Sequence, residues 1–333
     1  MKKGYHIILY SLLNDTYIQS LFISRCILEC EMDRTTLQQS SCEIGKHDDT
    51  VSSLAIGDYG SVLSGSVDGV VKFWRSSKEA HAVISEASLQ TGKRAVVTCS
   101  LFSDETTAVT GCEGGEVKVW DLKVMKKVSQ CQTQSRAIKS ISVPHVRSNL
   151  FCWGSGKELV CWDMNSNVQQ IWEMGDQVTT TTMSMCGSMV AAGTEGGKVF
   201  LWDRRAPRPC EVDFGLVSSL KFNHSGCFLG CGSKEPGGRG GMELWDIKTQ
   251  GLVKESRVAS QVSCLTFSTS DQTLLAGMEG RVAKMELLQE SVSNLRMDGW
   301  GNSKVWDITE LENPGIVNRF STKKRNKYVL KML

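Results

Sequence analysis

Several features that mark metal proteins, membrane proteins and nucleic-acid-binding proteins are missing from this sequence of 333 residues. It has only five histidines and neither an HExxH nor a CxxC motif, so we expect no metal site. No apolar run reaches the roughly 18 residues of a membrane helix, so we expect no membrane-spanning segment. Lysine and arginine (38) nearly balance aspartate and glutamate (36), so charge gives no reason to expect a specific nucleic-acid partner.

Proline is also scarce, with five residues, whereas glycine (31), cysteine (13) and tryptophan (9) are plentiful. The cysteine count is odd, and the cysteines are scattered through a chain much longer than a disulfide scaffold. We therefore expect reduced, mostly buried thiols and a cytoplasmic or nuclear location. The apolar residues 7–13 follow Lys2 and Lys3 as in a secretory signal, but Asn14 and Asp15 interrupt them, and we interpret this segment as a first strand.

One motif recurs along the chain: a glycine, a variable residue, a β-branched residue, two more residues and then tryptophan, often followed by aspartate. A short segment of alternating apolar and polar residues lies upstream of each copy of the motif. Turn residues and a second strand-like segment follow it before the motif begins. With the strand that contains the motif and one more strand after it, each repeat therefore predicts four strands. We call the tryptophan of each copy, or the methionine that replaces it, the blade anchor. The anchors lie 40–46 residues apart: Trp74, Trp120, Trp162, Trp202, Trp245 and Met285.

This pattern resembles the WD40 repeat over about residues 45–310. The resemblance implies an all-β fold, a β-propeller in which four-stranded blades pack radially around an axis. It also implies a non-catalytic scaffold whose partners are other proteins, with no cofactor and no small-molecule ligand. An enzyme that uses the propeller as its catalytic domain is the competing class, but no metal set, nucleophile pair or cofactor loop supports it.

The ends of the chain decide whether the ring closes. Seven blades are the commonest number in this family, and Trp306 could be a seventh anchor, but it follows Met285 by only 21 residues. We expect strands within residues 1–45, at 5–13, 17–29 and 35–44, to complete the last blade with C-terminal strands. The alternative is a truncated seventh blade. The propeller then occupies residues 1–310, and residues 311–333 form a basic tail that is either a nuclear import signal or simply solvated.

The first repeat carries the full polar set of the family: His47 in the loop before the first strand, Ser64, Asp68 and Trp74. The resemblance implies a buried structural tetrad, whereas the catalytic interpretation would be a Ser-His-Asp triad. Gly114 and Gly196 stand where Asp68 does in later repeats, and no histidine precedes those repeats. We expect those blades to rely on packing rather than on a polar network.

Two further segments suggest function. Residues 230–241 are glycine-rich but lack GxxxxGK[ST], so we expect a turn between strands that could contact a partner rather than a phosphate loop. Trp202-Asp203-Arg204-Arg205 resembles the WDxR signature of substrate receptors of cullin-RING ubiquitin ligases, in which Arg205 would contact the ligase adaptor. Gly196 departs from that signature, which prefers aspartate at this position.

A third resemblance concerns residues 46–53 and 62–66, which look like the second blade of methylosome WD-repeat proteins. Those proteins are non-catalytic cofactors of a symmetric arginine methyltransferase. The sequence therefore predicts an interaction scaffold, with substrate presentation to an arginine methyltransferase as its most specific form. The alternative is a ligase substrate receptor that acts through Arg205.

Overall fold

The computed structural model describes the following residues: 5–13, 38–49, 51–56, 61–76, 83–90, 96–101, 106–133, 137–144, 149–206, 209–235, 237–258, 260–268, 271–278, 281–287, 292–296, 319–321 and 329–331. Within these ranges the chain forms only strands, turns and irregular segments, which confirms the predicted all-β class. The described residues include no helix long and apolar enough to cross a membrane.

Six antiparallel sheets of four strands follow one another along the chain, and we call them blades 1 to 6. In each blade the four strands are consecutive and neighbouring in space. The strands are, for blade 1, β3 (Val51–Ile56), β4 (Val62–Ser66), β5 (Val70–Ser76) and β6 (Val83–Gln90); for blade 2, β7 (Val96–Leu101), β8 (Thr107–Cys112), β9 (Glu116–Asp121) and β10 (Lys126–Gln132); for blade 3, β11 (Ile138–Ser142), β12 (Leu150–Ser155), β13 (Glu158–Asp163) and β14 (Val168–Glu173); for blade 4, β15 (Val178–Met183), β16 (Met189–Thr194), β17 (Lys198–Asp203) and β18 (Cys210–Asp213); for blade 5, β19 (Val217–Phe222), β20 (Phe228–Ser233), β21 (Gly240–Asp246) and β22 (Gly251–Val258); and for blade 6, β23 (Cys264–Phe267), β24 (Thr273–Met278), β25 (Arg281–Glu286) and β26 (Val292–Arg296).

The blades are arranged radially. The first strand of each blade, β3, β7, β11, β15, β19 and β23 in turn, lies beside the first strand of the next blade. The fourth strands of blades 2 to 5 are largely exposed. We therefore call the first strand of a blade its inner strand and the fourth its outer strand. This is the arrangement of a propeller, in which each sheet buries both faces against its neighbours.

The chain ends contribute two further strand pairs. At the N-terminus β1 (Tyr5–Leu13) pairs antiparallel with β2 (Gln38–His47), and at the C-terminus β27 (Arg319–Ser321) pairs with β28 (Val329–Lys331). Strand β1 also lies close to β28. The segment 311–333 therefore contains two paired strands in addition to its basic residues. The predicted strand at 17–29 and the anchor Trp306 lie outside the described residues, so a seventh blade and ring closure stay predictions.

In blades 2 to 5 a glycine on the second strand locks the blade to the next one. A Cβ atom built on Gly111, Gly193 or Gly232 would approach the γ-methyl group of a β-branched residue of the following blade to 2.5–2.6 Å. Gly154 faces Val178 in the same way. Such distances are shorter than real Cβ atoms tolerate, so only glycine lets the neighbouring blade come this close. The partners are the residues at or just before the start of the next inner strand, namely Ile138, Val178, Val217 and Val262.

The hydrophobic core lies between the blades rather than within them. The second strands show this best, because successive residues face opposite neighbours. Ala108 packs with residues of blade 1, whereas the adjacent Val109 packs with residues of blade 3. Five such apolar seams join the six blades in order, and the blade anchors Trp120, Trp162, Trp202 and Met285 are buried in them.

The aspartate that follows the anchor tryptophan shapes the hairpin between the third and outer strands. The Oδ1 atom of Asp203 accepts the backbone N–H of Arg205 at 2.9 Å, and Asp246 accepts that of Lys248 at 2.7 Å. Asp121 and Asp163 make the same bond in blades 2 and 3. Three of these turns then reach a residue with positive φ, namely Met125, Asn167 and Gln250. The side chain thereby satisfies a turn donor that no strand partner could reach.

The interlock between blades 4 and 5 gives a direct stability prediction. Gly193→Ala should destabilise the protein by about 1–3 kcal/mol, because the new methyl group meets Val217 Cγ1 at 2.6 Å. Combining it with Val217→Ala should cost less than the two single changes added together, by about 1 kcal/mol. Chemical unfolding of the four proteins measures this coupling.

Gly175→Ala is the control, because no atom lies within 4 Å of the added Cβ and the residue is exposed. It should leave stability unchanged or raise it slightly. Strictly additive effects of Gly193→Ala and Val217→Ala would show that the two residues do not interlock.

Candidate functional site

The blade anchors occupy one register position throughout the repeat. Each anchor pairs with a second-strand residue, and the residue two positions further along that strand lies nearby on the same face. In blade 1 this residue is Ser64, whose hydroxyl accepts the Trp74 indole N–H at 2.8 Å. In blade 2 it is Thr110, which accepts the Trp120 indole N–H at 2.9 Å. Both hydroxyl-bearing residues are fully buried, so each bond satisfies a polar group inside the core.

Where the hydroxyl is absent, the indole loses this partner. Ala192 holds the position in blade 4, and the buried Trp202 Nε1 makes no hydrogen bond. In blade 3 the position is Trp153, and the Trp162 indole bonds Asn167 Oδ1 at 3.2 Å instead. In blade 6 the position is Ala276, two residues beyond Leu274, which pairs with the anchor Met285, and this apolar anchor needs no acceptor. In blade 5 the position is Cys231, and the Trp245 indole N–H bonds Glu243 Oε2 at 3.2 Å instead. Among the six blades that the structure describes, the anchor and the hydroxyl thus form a unit in blades 1 and 2 only.

Two expectations about the tetrad need correction. The sequence places His47 in a loop, but it is the last residue of β2, with its backbone paired to Tyr5, and its side chain lies outside the described residues. The substitution of Gly114 for aspartate predicts that blade 2 relies on packing alone, yet this blade keeps the indole-to-hydroxyl bond of Trp120. That bond depends on Thr110 in the strand, not on the turn residue.

The remaining tetrad members have structural contacts rather than catalytic ones. Asp68 Oδ1 accepts the backbone N–H of Val70 at 2.9 Å, which stabilises the turn before β5. Ser64 accepts the Trp74 N–H and donates its own proton toward the Lys72 carbonyl at 3.4 Å. A serine nucleophile needs an accessible hydroxyl next to a base, and Ser64 has no exposed surface.

The glycine-rich segment 230–241 belongs to an antiparallel hairpin. Strands β20 and β21 pair from Phe228–Asp246 to Gly232–Met242, and the connecting turn holds Gly237 and Gly238 at positive φ. The Glu235 N–H closes this turn onto the Arg239 carbonyl at 2.8 Å. A phosphate loop joins a strand to a helix, so this hairpin has a different architecture.

The two arginines after Trp202 and Asp203 differ sharply. Arg205 is exposed, and its backbone N–H is held by Asp203. Arg204 is half-buried, and its Nη1 donates to the Gly187 carbonyl at 3.3 Å, while its buried Nε has no partner. The N–H of Asn165, together with the nearby Arg204 charge, lowers the pKa of Asp163 in blade 3. Arg205 is therefore the arginine that faces outward, and Arg204 contributes to the seam between blades 3 and 4.

A polar clamp that the sequence analysis did not anticipate joins blades 5 and 6. Asp271 accepts the backbone N–H groups of His224 and Ser225, the Asn223 amide and the His224 ring nitrogen, all at 2.9 Å. Burial opposes ionisation of this carboxyl group, but the bonds from His224 and Ser225 outweigh it and lower the pKa of Asp271. The run Asn223-His224-Ser225 matches the N-glycosylation pattern, but Asn223 is only 1% exposed and so is not an accessible acceptor.

The described residues contain no cluster of metal-ligating side chains, and most of their cysteine thiols are not exposed. No group of three or more histidine, cysteine, aspartate or glutamate side chains is placed to hold a metal ion there. Nine cysteines in the described part of the chain form no disulfide: five of them are buried, and two of the nine, Cys186 and Cys227, are exposed. Burial raises the pKa of the Cys231 thiol well above its ordinary value, which makes that group unreactive.

Comparison with known proteins identifies related repeats. A family model described as WD domain, G-beta repeat, matches residues 38–75 and 86–121. The chain is 24% identical over 248 residues to "Methylosome protein WDR77" of Xenopus laevis, covering 72% of this chain and 62% of that protein. It is 26% identical over 235 residues to "WD repeat-containing protein 70" of Xenopus tropicalis, covering 66% and 31%.

A fission yeast protein described as "Uncharacterized WD repeat-containing protein C17D11.16" is 33% identical over 94 residues, which is 27% of this chain and 18% of that protein. The chain thus spans less than two thirds of the length of each of these relatives. The two repeats that match the family correspond to blades 1 and 2, the blades that contain the indole-to-hydroxyl bond.

The importance of that bond can be tested in blade 2. Thr110→Val keeps the side-chain shape but removes the acceptor of the buried Trp120 N–H, and it should cost about 1–3 kcal/mol of unfolding free energy. Ala192→Ser supplies an acceptor to Trp202, which now has none, and should be neutral or stabilising by up to about 1 kcal/mol. Denaturant titration of both variants measures these changes. A stable Thr110→Val protein would contradict the role assigned to the hydroxyl.

Proposed function

Since the chain carries WD40 repeats, we propose that it is a non-catalytic scaffold that binds other proteins within a multiprotein complex. The observation that supports this most is the radial array of blades, whose seams are filled by apolar side chains and whose turns are held by aspartate side chains. Such a scaffold presents loops and outer strands in fixed positions, which suits recognition of partners. We place it in the cytoplasm, the nucleus or both.

The specific role that we propose is methylosome-like presentation of substrate to an arginine methyltransferase. The alignment with the methylosome protein extends over 72% of this chain, and so over most of the blades rather than a single repeat. On this proposal the chain supplies a binding surface and the methyltransferase supplies the chemistry. The described residues offer a buried Ser64 and no metal cluster, which fits a partner that does not itself react.

Affinity purification of the full-length chain from cells tests this role. An arginine methyltransferase should be recovered with it, and adding the purified chain to that enzyme should raise symmetric dimethylation of the protein substrate. The chain alone should transfer no methyl groups. Recovery of stable partners without any methyltransferase would contradict the methylosome-like role but leave the scaffold proposal intact, whereas methyl transfer by the chain alone would contradict both.

A second candidate function is that of a substrate receptor for a cullin-RING ubiquitin ligase. The exposed position of Arg205 favours it, because the turn bond to Asp203 fixes the backbone while the residue stays exposed at the surface. A guanidinium in this position can bind carboxylate or carbonyl groups across an interface. Gly196 still departs from the signature at the position where it prefers aspartate.

Arg205→Ala separates this candidate from the first. It should abolish recovery of the ligase adaptor and shift the unfolding free energy by less than about 0.5 kcal/mol, as expected for an exposed residue. Lys123→Ala is the matched control, since Lys123 is exposed at the same turn position of blade 2 and its N–H bonds Asp121 in the same way. Arg204 is unsuitable as a control because it bonds Gly187. Adaptor recovery that survives Arg205→Ala would show that Arg205 does not carry the contact, and no adaptor recovery with the unaltered protein would exclude the ligase role.

A further inference from the structure

The outer strand of each blade has a free edge, because no other strand of the described residues pairs with it on that side. Proteins protect such edges with bulges, charged side chains or short strands, since the unpaired N–H and C=O groups otherwise recruit another strand. Three outer strands follow this rule. Strand β10 has a bulge and carries Lys126 and Lys127. Strand β18 has only four residues, two of them acidic, and β22 has a bulge and three charged residues.

The outer strand of blade 3 lacks these protections. Strand β14 pairs with β13 over six residues without a register shift, and its one charged residue is Glu173, at the end of the strand. Val168 and Ile171 are 54% and 57% exposed, and they lie on opposite faces of the sheet because they are three positions apart. A regular, uncharged strand with exposed β-branched side chains is an edge on which another strand can pair.

The hydrogen bonds of β14 determine which backbone groups this edge offers. Just after the strand, the N–H of Met174 donates to the Lys157 carbonyl at 2.7 Å, so these two residues form a hydrogen-bonded pair. Hydrogen-bonded and non-hydrogen-bonded pairs alternate along an antiparallel ladder, and β14 contains no bulge. The even-numbered residues of β14 therefore direct their backbone groups toward β13. The N–H and C=O groups of Gln169 and Ile171 point away from β13, to the free edge.

These free groups match those of a second copy of β14 in one antiparallel register. The register places Gln170 on a two-fold axis between the two copies. The backbone groups of Gln169 then meet those of Ile171 in the second copy, and those of Ile171 meet those of Gln169. Each of these pairs exchanges two N–H···O bonds, as hydrogen-bonded pairs of an antiparallel sheet do.

The same register brings compatible side chains together and separates the charges. Val168 lies opposite Trp172 of the second copy, on the face where Trp172 already contacts Trp202 of blade 4 at a centroid distance of 5.0 Å. The two Gln170 amides lie opposite each other, and such amides stabilise paired strands. The two Glu173 carboxylates lie at opposite ends of the paired segment, so no like charges face each other.

From these observations we propose that the outer edge of blade 3 pairs with the same edge of a second copy of this chain, so that two four-stranded sheets become continuous. The neighbour of an uncharged, regular edge has to be uncharged and regular itself. Among the outer strands of blades 2 to 5, β14 alone meets that condition, which is why we assign the position to a second copy.

The proposed contact is small. Two short strands bury less than the roughly 1,200 Å² of a stable interface, so the dimer forms at micromolar concentrations or above. This inference goes beyond the proposed function, because it concerns association of the chain with itself and does not depend on which other protein the scaffold binds.

Substitution of Gln170 tests the register in the full-length protein. Sedimentation velocity from about 1 to 200 μM should show a monomer–dimer equilibrium. Gln170 is exposed, and Gln170→Lys or Gln170→Glu places two like charges across the axis, so each variant should self-associate about tenfold more weakly or worse. An equimolar mixture of the two variants should regain dimers, because each lysine then faces a glutamate.

Val128→Lys is the matched control, since it introduces a lysine at a position 66% exposed on the outer strand of blade 2. It should leave dimerisation within about twofold. The proposal would be overturned by a protein that stays monomeric over the whole range, by a Gln170→Lys protein that dimerises normally, or by a mixture that does not regain dimers. A monomeric protein whose Gln170→Lys variant loses a co-purifying partner would also overturn it, and would assign the edge to a strand of that partner.

Discussion

The close approach of the second strands of blades 2 to 5 to the start of the next inner strand is the constraint on which the rest of the structure depends. Gly111, Gly154, Gly193 and Gly232 have no Cβ, and β-branched residues of the next blade occupy the space. This contact sets the distance between blades, and the apolar seams can fill only when that distance is right. A four-stranded sheet with two apolar faces would be unstable alone, so the repeat has to be interlocked in this way to fold.

The indole-to-hydroxyl bond is secondary to that interlock. It is present in blades 1 and 2, through Ser64 and Thr110, and absent in blade 4, where Trp202 is nevertheless buried with an unsatisfied N–H. Burial of the large ring must therefore outweigh the cost of one unpaired donor in that blade. The seam between blades 5 and 6 has a methionine anchor for the same reason. The shape and apolar volume of the anchor determine whether the seam is filled, and the polar bond adds a smaller stabilisation.

The sequence predicted what repeats and missed what differs between repeats. The six anchors and the inner strands β3, β15 and β19 could be found because period-two alternation and a bulky anchor recur in phase. The clamp of Asp271 on the turn at 223–225 could not, since it joins residues 46 to 48 positions apart in turns that share no pattern. Nor could the contact of Trp172 with Trp202, because the repeat pattern does not show which outer-strand side chain covers the anchor of the next blade.

These differences between blades lie in the outer strands and turns, where the contact between blades restricts the choice of residue least. The inner and second strands carry small or β-branched residues that face two neighbouring blades at once, so a change there alters two seams. The outer strand pairs with one strand only, the third. At the position that pairs with the residue three before the anchor, it holds cysteine, tryptophan, valine and serine in blades 2 to 5. The turns before it are fixed by aspartate, which leaves the following side chains free to vary from Lys123 to Arg205 and Lys248. A partner that recognises this chain rather than any similar propeller has to read those outer positions, because they are the ones that the fold does not dictate.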